Sequence, residues 1–344
     1  MALVEFDLKE SNLAIPRQGL QKEMISVGID EKSGKTLVRI NSSSLGVIQE
    51  CLRKAKYLLL EGWRSNSESP ATLFGSAIHS ALEVFYRGDH KTRKLPKFEQ
   101  MELMSYGHIV EGETSDLLLQ ATRAFIAKAE PLKLLPESDK RSIQNGVWIL
   151  FHYFKTFLDD PYVVYHDEKG PFTERAFTFR LYEGASFIID YFGTIDLVVK
   201  HTINGDILVC DHKTSSIVGN DFYNRLKPNH QYTGYLFGGL EACGLKTNSF
   251  LVNCLQVKPK PKTARGSEPH FPRQVTTRDA DDYQEFRDSV VESVSRYLMS
   301  VKHNTFPLGH VNACAMYAGC QYLQVCSAPK SLRTNILNAK FVRS

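Results

Sequence analysis

Two aspartates and a lysine in the middle of the chain are the residues best placed to do chemistry. Asp196 ends an apolar run that begins at Ile189, and Asp211 ends a second run that begins at Ile207, with Lys213 two positions later. Both runs are rich in β-branched residues and predict buried strands. A carboxylate on a buried strand costs free energy unless it is paired or binds a metal ion. Two such carboxylates beside a lysine therefore predict a metal site next to a cation, a combination suited to phosphodiester hydrolysis.

A second candidate group lies on a predicted helix upstream. The segment 71–86 repeats apolar residues at helical spacing, and Gly75, His79 and Glu83 follow one another at intervals of four. They therefore form one row along the helix, with His79 at the edge of the apolar stripe. Gly75 allows another backbone to approach closely. On this pattern alone, a histidine is more often an ordinary core or surface residue than a metal ligand.

Taken together, these segments resemble the motifs of the PD-(D/E)XK nuclease superfamily, and in particular those of its RecB-like and AddB-like exonucleases. The helix is similar to the family's G-x-x-x-H-x-x-x-E motif. The segment 193–196 is similar to its G-x-x-D motif, and the segment 211–214 to its D-x-K-T motif. The resemblance implies that His79, Asp196 and Asp211 are metal ligands.

The resemblance also implies roles for neighbouring residues. The main-chain carbonyl of His212 would complete the metal site, while its side chain points to the opposite face of the strand. Lys213 would position or help deprotonate the attacking water and stabilise charge at the phosphorus. Glu83 would orient His79 or a water at the metal. The alternative for Lys213 is a purely structural ion pair with Asp211.

A later helix carries two further candidates. Gln231 and Tyr235 are four residues apart and share one helix face, which is similar to the family's Q-x-x-x-Y motif. That motif borders the site, where it contacts nucleic acid or supports the catalytic groups. Glu174 precedes a predicted strand, at the place of a glutamate that is frequent in the family. Two carboxylates and a neutral imidazole suit Mg²⁺ or Mn²⁺, since both prefer oxygen and Mn²⁺ tolerates nitrogen better.

The seven cysteines fall into two groups. Cys210, Cys243 and Cys254 lie in apolar segments and are expected to be small core residues. The odd count in a chain expected to be cytoplasmic argues against a disulfide framework. The remaining four are one cysteine near the N-terminus and three in the tail, namely Cys51, Cys314, Cys320 and Cys326.

These four cysteines resemble the iron–sulfur staple of AddB-type and CRISPR-associated RecB-like nucleases and of their phage relatives. The family often has a C-x-x-C spacing in the tail, whereas both gaps here contain five residues. Four thiolates are enough for a [4Fe–4S] cluster, which the resemblance implies. A structural Zn²⁺ held by the same cysteines is the main alternative, and no metal is the third. Either metal would connect the two ends of the chain across the nuclease core.

Composition sets few limits on function. With 42% hydrophobic and 23% charged residues, the chain resembles an ordinary globular protein, and it contains no apolar stretch long enough to span a membrane. Its N-terminus has no signal-peptide pattern, so a cytoplasmic location is expected. The net charge of +4 permits a polyanionic partner without requiring one. The basic loop 257–265 is either a solvated loop or a phosphate-contacting one.

The elements that must position these residues predict an α/β fold. Three strands are expected between Phe172 and Val199, with turns at 183–184 and near Asp190, followed by strands at 207–211 and 249–257. Helices are expected before, between and after the strands, including one that runs through Leu45, Ile48, Cys51 and Leu52 and one over 221–243. The resemblance implies a restriction-endonuclease-like core with a central mixed β-sheet flanked by helices. The expected divisions are an N-terminal extension 1–41, a nuclease domain 42–330 with core 71–257, a helical insertion 87–170, a cysteine tail 310–330 and a C-terminal tail 331–344.

The resemblance implies a metal-dependent DNA nuclease, in particular an exonuclease that processes DNA ends in recombination, repair or replication and is encoded by a phage or mobile element. The chain lacks a G-x-x-x-x-G-K-[ST] motif, so unwinding would come from a helicase or recombination partner protein. Two alternatives remain open. One is a non-catalytic DNA-binding scaffold on a nuclease fold, and the other is an RNA-processing nuclease with the same site.

Overall fold

A computed structural model of the chain describes residues 25–66, 68–261, 267–315 and 319–343. Part of the predicted N-terminal extension, residues 1–24, lies outside the described residues. So do Lys262 and Arg265 of the basic loop. Within the described part no helix is both long and apolar enough to cross a membrane.

A mixed sheet forms the centre of the molecule, and two small two-stranded sheets lie outside it. The strands of the described residues are β1 (Ile25–Ile29), β2 (Thr36–Ile40), β3 (Trp63–Ser65), β4 (Tyr162–Val164), β5 (His166–Asp167), β6 (Gly170–Pro171), β7 (Thr173–Glu183), β8 (Phe187–His201), β9 (Ile207–Ser215), β10 (Ser249–Gln256), β11 (Arg273–Thr277) and β12 (Phe341–Arg343).

Helices cover both faces of the central sheet. They are α1 (Ser42–Glu50), α2 (Leu52–Ala55), α3 (Pro70–Arg87), α4 (Phe98–Ser105), α5 (Leu117–Lys128), α6 (Ile143–Thr156), α7 (Asn220–Tyr223), α8 (His230–Cys243), α9 (Ala280–Lys302), α10 (Val311–Ala315), α11 (Leu323–Ser327) and α12 (Arg333–Lys340). A short π-helix follows α2 at Lys56–Leu60, and 3₁₀ turns occupy His90–Thr92, Glu130–Leu132 and Lys330–Leu332.

The central sheet has the order β1-β2-β8-β9-β10-β11, with β7 and β4 on the second edge of β8. The pairs β2 with β8 and β9 with β10 are parallel, while the other pairs are antiparallel. The expected α/β fold with a central mixed sheet and flanking helices is therefore confirmed. Two large hydrophobic clusters lie on the two faces, one beneath α1, α8 and α9 and the other beneath the helices α3 to α6.

One edge of the long strand β8 pairs with two different strands along its length. Residues 187–191 pair with β2, and residues 197–200 pair with β9. The last pair with β9 is Leu197 with Cys210, after which β9 leaves β8 and continues along β10 as far as Ser215. The two strands therefore form a fork, and Asp196 and Asp211 are the first residues beyond the last pair.

The strand prediction between Phe172 and Val199 was wrong in one respect. The chain reverses at 184–186 as expected, but there is no turn near Asp190, which lies inside the 15-residue strand β8. The carboxylate of Asp190 accepts a hydrogen bond of 2.7 Å from Arg180 on β7. Asp190 suggested a turn in the sequence, but it is accommodated within the strand because it pairs with Arg180 on the neighbouring strand. The three core strands are β7, β8 and β9.

Two expected helices are interrupted. The segment 221–243 was predicted as one helix, but it forms α7 and α8, separated by a loop that contains Pro228. Proline lacks an amide hydrogen, which explains why a continuous helix cannot run through this position. Similarly, the predicted helix through Cys51 breaks at that residue, whose φ of −165° is extended, between α1 and α2.

Candidate active site

The fork between β8 and β9 brings two carboxylates together with a histidine from α3. Ligand atoms of His79, Asp196 and Asp211 all lie within 4.8 Å of one another. Helix α3 begins with Ser69 as N-cap and Pro70 in its first turn, both favourable at a helix start. It approaches β9 closely at Gly75, where an added Cβ would lie 3.3 Å from the hydroxyl oxygen of Thr214. The apolar face of α3 and this close approach direct His79 towards the fork.

Both ring nitrogens of His79 face acceptors. Nδ1 lies 3.2 Å from Asp196 Oδ2, and Nε2 lies 2.6 Å from the carbonyl oxygen of His212. Burial disfavours the charged ring, but the hydrogen bond to Asp196 and the nearby carboxylates outweigh it and raise the pKa of His79. For Asp196, burial is likewise opposed by His79, which lowers the pKa of Asp196 to about 2. His79 is therefore held by Asp196 and the main chain of β9.

Of the two aspartates, Asp211 has the more deeply buried side chain. Its side chain is buried, and burial, reinforced by Asp196 and opposed by Lys213, raises the pKa of Asp211 to about 6. Asp211 Oδ2 forms an ion pair of 2.5 Å with the ammonium of Lys213. Burial opposes the charge on Lys213, but Asp211 outweighs this effect and raises the pKa of Lys213. The lysine therefore stays charged beside the fork.

Helix α8 supports Lys213 from the other side. Asn229 caps the start of this helix by accepting from the amide of Tyr232, and the left-handed Gly244, with φ 68°, ends it. Gln231 Oε1 accepts from Lys213 at 3.2 Å, and its amide nitrogen lies 3.4 Å from the hydroxyl of Tyr235. The two residues of the Q-x-x-x-Y segment thus form a chain of contacts that leads to the lysine.

Two glutamates border the site without entering the ligand group. Glu83 forms a salt bridge of 3.0 Å with Arg87, and both nitrogens of His79 contact other groups, so the structure does not bring Glu83 to His79. Glu174 stands opposite Asp196 on β7, with an unusual φ of 47°. Burial, followed by Asp196 and Glu83, raises the pKa of Glu174 to about 7. Both glutamates and His79 line a small polar cavity.

A sequence model of the PD-(D/E)XK nuclease superfamily matches residues 39–327. This range contains the whole fork, α3, α8 and the four cysteines of the predicted staple. The chain belongs to the PD-(D/E)XK nuclease superfamily. A search of curated proteins found no match.

One solved structure with similarity to this PD-(D/E)XK chain is described as a "Putative exonuclease" from Eubacterium rectale. It is 14% identical in sequence, and the alignment covers 84% of this chain and 88% of that chain, with a TM-score of 0.37. A TM-score in this range does not establish a common fold. The family assignment therefore rests on the sequence match.

The ligand group suits the divalent cation that PD-(D/E)XK nucleases generally use. Two carboxylates, an imidazole and the carbonyl of His212 converge, and oxygen-rich sets of this kind suit Mg²⁺ or Mn²⁺. Asp211 Oδ2 is buried and paired with the ammonium of Lys213 at 2.5 Å, and the carboxylate has further lone pairs that this contact does not use. A buried carboxylate oxygen with lone pairs to spare is what a metal ligand requires, so the residues fit the ion.

The four cysteines of the predicted staple lie at the N-terminal end of α2 and in the tail around α10 and α11. Cys51 Sγ accepts from the amide of Gly309 at 3.2 Å, and the amide of Cys320 donates to the carbonyl of Cys314 at 2.9 Å. Burial raises the pKa of Cys326, and the thiols of Cys320 and Cys51 add to this effect. These contacts bring the segments of the four cysteines into one region, but within the described residues their thiols do not form a group as compact as that at the fork.

The structure adds residues that the motifs did not indicate. Behind the fork, His212 contacts Asn253 on β10, and Asn253 contacts Arg273 on β11. Burial lowers the pKa of His212 to about 3. One signal was present in the sequence, since Asn253 interrupts the apolar run 250–255. The partners Arg273 and Asp160 lie far away in the chain, so their meeting is not visible in sequence spacing.

Proposed function

We propose that this protein is a metal-dependent DNA nuclease, and specifically a RecB-like exonuclease that processes DNA ends in recombination, repair or replication. The observation that carries the proposal is the meeting of His79, Asp196 and Asp211 at the fork with Lys213 against Asp211. Membership of the nuclease superfamily supports hydrolysis of a phosphodiester bond. Beyond superfamily membership, we propose that the substrate is DNA and that cleavage starts from a DNA end.

Mg²⁺ or Mn²⁺ is the proposed cofactor, with His79, Asp196, Asp211 and the carbonyl of His212 as its ligands. When bound, the ion would supply Lewis acidity at the scissile phosphate and lower the pKa of water. Asp196 fixes the ring orientation of His79 through the 3.2 Å contact to Nδ1, which leaves Nε2 on the side of the His212 carbonyl. Binding of an ion by the ring would require loss of a proton from the coordinating nitrogen.

Lys213 is the proposed electrostatic catalyst. Its ammonium is held between Asp211 and Gln231, so it needs no reorganisation before it stabilises negative charge on the phosphate in the transition state. Tyr235 supports Gln231 from the next helical turn. For Glu83 and Glu174, which line the cavity beside His79, the proposed role is to orient water near the metal site.

The proposed second cofactor is a [4Fe–4S] cluster at Cys51, Cys314, Cys320 and Cys326. Support comes from the amide of Gly309, which lies just before the tail and donates to the sulfur of Cys51, as amides do to cluster sulfurs. The cluster would join the start of α2 to the tail around α11. A Zn²⁺ ion on the same cysteines is the competing possibility, and iron analysis separates the two.

Digestion assays with Mg²⁺ and Mn²⁺ test the substrate and mode. The panel consists of end-labelled single- and double-stranded linear DNA, closed circular DNA and RNA, with Asp211→Asn as the inactive control. The proposal predicts loss of linear DNA only, and none in the variant. Cutting of circles would indicate an endonuclease, and preferred RNA cleavage would indicate an RNA-processing enzyme. DNA binding without cleavage, unchanged in the variant, would favour a scaffold.

The same assay addresses the partner. The proposal includes a helicase or recombination protein that delivers unwound ends. If the protein alone degrades single-stranded ends but not duplex ends, a separate unwinding activity is required for duplex substrates. Equal degradation of both substrates would remove that requirement.

A further inference from the structure

A row of three polar side chains crosses the sheet directly behind the fork. In the strand register, His212 on β9 is opposite Asn253 on β10, and Asn253 is opposite Arg273 on β11. The side chains of His212 and Asn253 are buried. Such a row in the interior is costly unless its members bind one another, and here hydrogen bonds join His212 to Asn253 and Asn253 to Arg273.

Arg273 determines which way the amide of Asn253 points. Arg273 Nε lies 3.1 Å from Oδ1 of Asn253, and a guanidinium can only donate, so the contacted atom must be the amide oxygen. The amide nitrogen then faces Nδ1 of His212 at 2.8 Å and the hydroxyl of Tyr153 at 2.7 Å. Because this nitrogen only donates, Nδ1 of His212 must accept, and the ring proton is on Nε2.

The far end of the row is firmly anchored. Both terminal nitrogens of Arg273 donate to Asp160, each at 2.7 Å, and the carboxylate of Asp160 is fully buried. The hydroxyl of Tyr86 donates to Asp160 at 2.9 Å and meets that of Tyr153 at 2.8 Å. A two-point arginine–carboxylate contact fixes geometry as well as charge, so Arg273 cannot easily turn away from Asn253.

At the near end, the row reaches the metal site through the main chain. The ring of Tyr86 stacks on that of His212, with centroids 5.4 Å apart and planes at 20°. The carbonyl of the same histidine faces Nε2 of His79 at 2.6 Å. This part of β9 lies beyond the fork and has lost its pairing with β8. Beyond the fork β9 pairs only with β10 along its backbone, and the row adds side-chain contacts to that pairing at His212.

We propose that Asn253 is a positioning residue for the metal site, which locks His212 as the Nε2–H tautomer and thereby fixes the His212 carbonyl opposite His79. The lock is transmitted from Asp160 through Arg273 to Asn253. This role rests on the proposed function only in its effect on metal binding, since the tautomer is a property of the protein alone. Positioning groups behind metal ligands typically change metal affinity by about 10–100-fold.

Two variants and a control test this role. Asn253→Leu keeps the branched shape of the side chain and removes its three hydrogen bonds, to His212, Tyr153 and Arg273. Asn253→Asp keeps the acceptor for Arg273 but places an acceptor opposite Nδ1, which should move the His212 proton to Nδ1. Thr122→Val removes a buried hydroxyl bonded to the Leu118 carbonyl on α5, and it controls for general loss of a buried hydrogen bond. ¹⁵N NMR of the histidine rings reports the tautomer, with His212→Gln used to assign the signal.

The expected result is an unprotonated Nδ1 in wild type, a protonated Nδ1 in Asn253→Asp, and Mn²⁺ binding about tenfold weaker or more in both Asn253 variants but not in Thr122→Val. A proton on Nδ1 in the wild type would overturn the lock. Wild-type Mn²⁺ affinity in a folded Asn253 variant would overturn the positioning role. If Asn253→Leu does not fold, the Asp variant decides. If the wild type binds no Mn²⁺ although His212 has the expected tautomer, the proposed function is contradicted and the tautomer assignment is not.

Discussion

The ammonium of Lys213 lies 2.5 Å from a carboxylate oxygen of Asp211, and the two residues are separated in sequence by His212 alone. Alternate residues of a strand point to the same side, so this ion pair follows from strand geometry. The intervening His212 turns its ring to the other face and offers its carbonyl to His79. Three consecutive residues therefore supply the proposed metal ligand, the main-chain ligand and the cation.

Replacing Lys213 with alanine should impair chemistry more than metal binding. Loss of the cation beside the phosphate should lower kcat on the order of 100–1000-fold, the range found when one preorganised donor is removed. Lys200→Ala, on the exposed part of β8, is the matched control and should retain activity. Single-turnover cleavage at saturating Mn²⁺ measures the effect. Full activity of Lys213→Ala would show that the Asp211–Lys213 ion pair is structural and has no catalytic role.

Asparagine at either aspartate should remove metal binding. Asp196→Asn and Asp211→Asn keep the side-chain shape but each remove one negative charge from the ligand group, and charge count governs affinity for hard cations. Calorimetric titration should give no Mn²⁺ binding at concentrations that saturate the wild type. Asp288→Asn, an exposed aspartate on α9 that accepts from Gln284, should bind normally. Normal binding by both site variants would place the metal elsewhere.

Metal affinity should rise as pH increases from 5.5 to 7.5. The pKa of Asp211 is raised to about 6 by burial, and that of His79 is raised by Asp196 against the effect of burial. Both groups are therefore protonated in part at the lower pH, and the metal must displace those protons. Mn²⁺ titrations in buffers of different ionisation enthalpy give both the affinity and the number of protons released. Affinity that is flat across this range, with no proton release, would contradict the ligand assignment.

Serine at Cys320 should remove the proposed cluster. Wild-type protein purified without oxygen should be brown and contain iron, and Cys320→Ser should lose the visible absorbance and unfold at lower temperature. Cys243→Ser, at a cysteine outside the predicted staple, is the matched control and should keep its colour. Metal analysis by mass spectrometry provides the measurement. Iron-free, colourless wild type would exclude the cluster, and one zinc per chain would support the alternative.

Two glycine substitutions should have opposite effects on stability. A Cβ on Gly309 would lie 2.5 Å from the carbonyl oxygen of Glu50, a main-chain atom that cannot move aside without shifting α1. Gly309→Ala should therefore cost about 1–3 kcal/mol. Gly46 lies inside α1 with no neighbour within 4 Å, and Gly46→Ala should stabilise by about 0.5–1 kcal/mol. Thermal unfolding of both variants provides the test, and equal shifts would contradict the close approach at Gly309.

The sequence was most informative where local spacing determines geometry. The period of α3 put Gly75 and His79 on one row, and the alternation of β9 put Asp211 and Lys213 on one side, as the structure has them. It was wrong at Asp190, where a polar residue suggested a turn. The distant Arg180, which pairs with Asp190, was not recognisable as its partner from local spacing.

Long-range partners account for the parts that sequence did not indicate. The row from His212 through Asn253 to Arg273 joins three strands, and its anchor Asp160 comes from a segment before the sheet core. Glu174 was noted only by its position before a predicted strand, and its positive φ of 47° was not indicated by the sequence. Contacts of this kind arise from the register of strands, which no single segment encodes.

Locating Mn²⁺ by anomalous scattering, in crystals soaked at a concentration that supports DNA cleavage, is the most direct test of the proposed site. The expected result is a peak in contact with His79, Asp196 and Asp211 that is absent from Asp211→Asn crystals. A peak elsewhere on the protein, with none between these three residues, would contradict the assignment of the active site to the fork between β8 and β9.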